Sequence, residues 1–133
     1  MKTEKMRVLL VEPYKRPKLV EIDHTLEIMQ GLVGGTIQAL YPWTDEVALI
    51  CNDEGKLDGS LPNRSLEDDN GNIYDIVFGT FFICGLTEDN FGSLSLDLAD
   101  KYADMFREPE TYYRTEDNHI ASFTFHRGIR IVC

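Results

Sequence analysis

The side chains with the most chemical potential in this 133-residue chain are a lone arginine and the polar residues near it. Arg64 stands in Leu61-Pro62-Asn63-Arg64, with Asn52 upstream and Asp75 downstream, and Lys56 is the only other cation between residues 19 and 100. A guanidinium among so many carboxylates has two readings. It forms an internal ion pair, with Asp75 the nearest choice, or its planar fork takes an anionic ligand or a partner's carboxylate. In the second case Asn52, Asn63, Arg64 and Asp75 line one small-molecule pocket. Tyr41-Pro42-Trp43 sets two aromatics beside a proline, either at the edge of the core or as a stacking and contact surface. These six residues are the candidate binding positions.

Other chemistries fail on spacing. Gly34-Gly35 lacks the following Lys-Ser/Thr of a phosphate-binding loop. His24, His119 and His126 lie far apart and form no metalloprotease motif. A calcium loop aligned on Gly71 would put Leu66 and Val77 where carboxylates must hold the ion. Asp97, Asp100 and Asp104 share a helix face that reads as solvated, with no sign of the buried acid that catalysis needs. Cys51 and Cys84 sit inside apolar runs and read as inert core thiols, while Cys133 at the end reads as more accessible. No catalytic residue, metal or cofactor is assigned.

Charge narrows the partners. The net charge of −10 resolves into +4 over residues 1–18, −15 over 19–110 and +1 over 111–133. Such an acidic body disfavours nucleic acid, because phosphates are repelled. No apolar run approaches the roughly 20 residues that cross a bilayer. Met1 to Arg7 has no signal-peptide apolar stretch behind it, so a cytoplasmic location is expected. Either the basic ends fold back onto the acidic body, or that body stays open to a basic partner.

The elements that must position these residues follow from periodicity. Strands are expected over Arg7–Glu12, Lys18–Ile22, Thr36–Tyr41 and Val47–Asn52. A helix capped by Asp23 carries Leu26, Met29, Leu32 and Val33 on one stripe and ends at Gly34-Gly35. Lys56 to Leu66 reads as a long loop, and Asn70-Gly71 as a hairpin turn. Ile73 to Leu86 is one strand bent at Gly79 or two short ones. A second helix, capped by Ser93 or Ser95, presents Leu98, Tyr102, Met105 and Phe106 and stops by Pro109. Ala121 to Cys133 alternates as a terminal hairpin or bulged strand. The element order does not alternate as βαβ units would. The expected class is therefore α+β, a single domain with a mainly antiparallel sheet and two short helices. Residues 1–110 form the body and 111–133 a strand or hairpin extension packed on it.

Leu32-Val33-Gly34-Gly35-Thr36-Ile37, Tyr41-Pro42, Val47 to Leu57, Leu61-Pro62-Asn63-Arg64, Ile73 to Ile83 and Gly85-Leu86 together form a motif series. It resembles a bacterial domain-of-unknown-function family found on phages, plasmids and integrated elements. The resemblance spans roughly Arg7 to Pro109, and the tail from Glu110 departs from the usual short members. It implies an accessory role on a mobile element and supplies no catalytic residue. The expected function is a non-enzymatic accessory protein that binds a host or phage protein, with counter-defence one form of it. The alternatives are a small-molecule binder or enzyme at the four-residue pocket, and an oligomeric module in which the Phe123-Phe125 strand, within residues 121–133, adds to a neighbour's sheet.

Overall fold

A computed structural model describes residues 4–132, so Cys133 lies outside the described residues. The longest apolar runs become the middle of the main sheet. Strands β1 (Lys5–Val11), β4 (Val47–Asn52) and β7 (Phe81–Leu86) lie side by side, with β2 (Lys18–Asp23) outside β1 and β3 (Ile37–Leu40) outside β4. All pairings are antiparallel, and the two-residue β8 (Phe91–Gly92) pairs with the end of β7. Continuous apolar sequence is what a strand covered on both faces requires. Every residue of β4 is buried.

The two covers differ. On one face, α1 (Leu26–Val33) inserts Met29 and Val33 against Met6, Val8, Ala48, Ile50 and Phe82. On the other, α2 (Leu96–Met105) and the hairpin of β5 (Pro62–Glu67) and β6 (Ile73–Phe78) place Leu66, Val77, Ala99 and Tyr102 on Leu9, Val11, Leu49 and Ile83. A third sheet of β9 (Thr111–Arg114), β10 (Ile120–Thr124) and β11 (Gly128–Ile131) has the order β11-β10-β9. The molecule is mainly strand with two helices, as expected, but its strands divide among three antiparallel sheets.

Several local expectations shift. Thr25, not Asp23, caps α1, its Oγ1 accepting the Ile28 N–H at 3.2 Å, while Asp23 ends β2 and pairs with Lys5. Ser95 caps α2, and its buried stripe runs through Ala99 and Tyr102 to Phe106, leaving Met105 half exposed. The loop expected up to Leu66 ends early, because Pro62–Glu67 is a strand. Gly79, with φ +80°, takes a left-handed conformation and sends β6 and β7 into different sheets. The strands β8 and β9 carry no apolar signature and are absent from the expected order. Phe123 sits on β10, the middle strand of its sheet, so that strand offers no free edge to a neighbour.

Cys51 and Cys84 are buried, which pushes their thiols up to about 11 and about 12. Neither is expected to react with an alkylating reagent at neutral pH until the chain is denatured, as mass spectrometry will show. Both acids hold their protons more tightly when folded. Their contribution to stability is therefore complete below about pH 9, the ordinary thiol value, and is lost as pH rises through the folded values.

Candidate functional site

The polar residues flagged in the sequence are spent inside the fold. Arg64 is fully buried, and its N–H groups make five hydrogen bonds to four oxygens. Nε donates to the Phe106 carbonyl at 3.2 Å; one terminal nitrogen reaches that carbonyl at 3.0 Å and the Lys15 carbonyl at 2.7 Å. The other donates to the Asn63 carbonyl at 3.3 Å and to Asn63 Oδ1 at 2.8 Å. Burial lowers the guanidinium pKa, and the nearby Glu110 charge opposes that shift. The expected ion pair with Asp75 does not form: Asp75 pairs with Lys56 at 2.6 Å. Every donor of Arg64 is engaged by backbone or Asn63 oxygens, so none is left for an external anion.

The asparagines act in the same way. Asn63 Nδ2 donates to the carbonyls of Val11 and Gly79, both at 2.9 Å, which ties β5 to the main sheet. Asn52 Nδ2 donates to Asp58 Oδ2 at 2.9 Å and to the Val33 carbonyl at 3.4 Å, and its Oδ1 accepts the Glu54 N–H. Asn63 and Arg64 are thus brought together, while Asn52 and Asp75 belong to separate contacts.

A groove of about 910 Å³ opens on another side. Its walls are the Tyr41–Thr44 segment, the second half of α2 with residues 106–108, the end of β5 with Asp68 and Asp69, and the inner face of the third sheet. None of Asn52, Asn63, Arg64 or Asp75 lines it, but Tyr41 and Trp43 do. Trp43 packs its ring 4.4 Å from Tyr102 and 6.0 Å from Phe106, as an edge of the core. Tyr41 is 61% exposed and free to stack. Nearby, Lys101 and Tyr102 both donate to Asp45 Oδ2 at 2.6 Å, which holds the Asp45 carboxyl below its usual range, while burial and then the bond to Asp45 raise the Tyr102 phenol.

The floor is a carboxylate that sequence reasoning passed over. Glu110 Oε1 accepts the Ser65 N–H at 2.9 Å. Its Oε2 accepts the hydroxyls of Ser65 and Ser122 at 2.6 Å each and that of Tyr112 at 2.9 Å. Burial, then the Glu110 charge, raises the Tyr112 phenol, keeping it a donor. Four donors on one carboxylate make a latch between β5 and the third sheet, and both serine hydroxyls spend their protons on Glu110. Above the latch, Arg127 and Arg130 both bond Glu67. Two of the tail's three arginines therefore return to the acidic body, while Arg114 bonds Asn118 within the tail. In the first segment Lys5 reaches Asp23, while Lys15 and Lys18 bond Glu12 within the same segment.

The groove's charges are unequally neutralised. All four of its cations are paired: Lys101 with Asp45, Arg107 with Asp104, and Arg127 and Arg130 with Glu67. Among the described residues Asp68, Asp69, Glu108 and Glu110 have no cationic partner; Asp68 accepts backbone N–H groups of its turn and Glu108 that of His126. The same residues hold no group of three His, Cys, Asp or Glu placed to bind a metal.

The comparisons bear on the body of the chain. No curated protein and no solved structure was found to match it. The family model for a domain of unknown function, DUF3846, matches residues 6–107. The matched segment contains both helices and the main sheet but stops before Glu110 and the third sheet, so one wall of the groove lies outside it. With most of its length covered by that model, the chain belongs to the DUF3846 family.

Proposed function

We propose that the protein is a non-enzymatic accessory protein of a phage or mobile element that binds a basic segment of a partner protein in this groove. The observation that carries the reading is the unequal pairing of charge: each of the four cations already bonds a carboxylate, two of them sharing Glu67, whereas Asp68, Asp69 and Glu108 bond no cation among the described residues. A Lys- or Arg-bearing segment would supply the missing charge, and exposed Tyr41 offers a ring face for a cation. Met105, half exposed on the same wall, provides adaptable apolar contact. The chain's net charge of −10 steers a basic partner toward it.

Affinity capture from cells that carry the element tests the reading, with the intact chain compared against an Asp69→Lys, Tyr41→Ala double variant. Both positions are exposed, so the fold is retained. The variant is expected to lose its partner about tenfold or more in affinity, and raised salt to weaken the intact complex. Equal capture by both proteins would remove the groove from the function.

A further inference from the structure

The third sheet is built with its polar side inward. Ser122, Arg130 and Tyr112 stand opposite one another in the register and face the body through Glu110 and Glu67. Alternation therefore turns the neighbouring row outward, and apart from Thr111 at its edge that row is apolar: Tyr113, Phe123, Ile129 and Ile131 around the small Ala121, which they cover, with Phe125 continuing it past the end of β10. Phe125 is 93% exposed, Ile129 66%, Ile131 50% and Tyr113 44%. The Phe123 and Phe125 rings lie 5.6 Å apart in an edge-to-face pair, which presents a contiguous aromatic surface. Sheets that face water on one side normally put polar residues there. This one does the reverse.

We infer that this outward face is the contact surface of a symmetric dimer, a second copy of the same chain packing sheet against sheet. Area supports that occupant. At the exposures above, the four side chains offer roughly 450 Å² per copy, so two copies bury about 900 Å² before any rim is counted. With the rim the contact passes the ~1,000 Å² that a specific interface requires. Charge supports it as well. Two bodies of −15 over residues 19–110 repel, whereas residues 111–133 sum to +1 and the apolar row bears no carboxylate. This is where two copies meet at least cost. A two-fold that runs the sheets antiparallel also sets the Glu116-Asp117 turn of each copy beside the His126-Arg127 turn of the other. The contact is face to face. It uses the sheet surface opposite the groove, and the groove stays accessible in the dimer.

Sedimentation equilibrium of the full chain over a wide concentration range tests the inference. The expected mass is about 30 kDa, twice the 15.2 kDa of one chain, and association is expected to tighten as salt screens the acidic bodies. Phe125→Asp with Ile129→Asp is expected to return the mass to one chain with an unchanged melting temperature. Should the aspartates lower that temperature, Phe125→Ser with Ile129→Thr removes the apolar area without buried charge and is expected to dissociate the dimer equally. An intact chain that stays at one-chain mass at its highest soluble concentration would overturn the inference. So would a dimer whose mass both double variants leave untouched.

Discussion

Arg64→Ala is expected to lower the stability of the folded chain by about 3–5 kcal/mol, since each buried acceptor left without its donor costs about 1–3 kcal/mol. The reason is what the side chain leaves behind. The carbonyl of Phe106 and the Oδ1 of Asn63 each lose a buried donor, and the part-buried Lys15 carbonyl loses one as well. The three partners come from the end of α2, from the link between β1 and β2, and from β5, so one guanidinium joins segments distant in sequence. Arg64→Lys is not expected to rescue the loss, since an ammonium has three donors on a point and cannot span a fork of five. Urea denaturation followed by circular dichroism measures both variants. Near-native stability for Arg64→Lys would mean that charge alone matters there.

The second large effect is expected at Glu110. Glu110→Ala removes one acceptor group and strands four donors, and a cost of about 2–4 kcal/mol follows if they stay partly buried. Unlike the first, this loss is expected to be local. The main sheet is closed by its own two apolar layers, whereas the third sheet is fixed to β5 by the Glu110 latch and to Glu67 by two arginines. Hydrogen exchange is therefore expected to speed up over residues 111–131 while the amides of β4 and β7 keep their protection. Glu110→Gln retains two oxygen lone pairs and is expected to fall between the two. Uniform acceleration across the chain would show that the third sheet is part of the main cooperative unit.

How far the sequence could be read depended on whether a residue's partners were local. The strands β1, β4 and β7 were legible because burial on both faces demands an uninterrupted apolar run, and Val47–Cys51 is one. The Asn70-Gly71 turn was legible because left-handed backbone needs such residues, and Gly71 has φ +80°. Strand β5 was not, for a physical reason. Asn63 and Arg64 look like loop residues, yet their polar groups are satisfied by carbonyls 16 to 52 residues away, which no sequence window contains. Arg64 stands out in the sequence, but its sequence neighbours point to a carboxylate partner where the fold supplies backbone oxygens and the Asn63 amide oxygen. Glu110 carried no signal at all. It is one of 23 acidic residues, and Ser65 and Ser122 meet it only through the docking of the third sheet. The groove is invisible for the same reason, since its walls come from four stretches of chain.

The claim that this groove receives a basic segment is tested most directly by amide-resolved NMR of the labelled chain titrated with a short Lys- and Arg-rich peptide. The expected shifts concentrate at Tyr41, Thr44, Asp68, Asp69, Met105 and Glu108, fade as salt is raised, and are absent with a Glu-rich peptide of equal length. Shifts spread evenly over the acidic surface, or none in the groove, would contradict the claim.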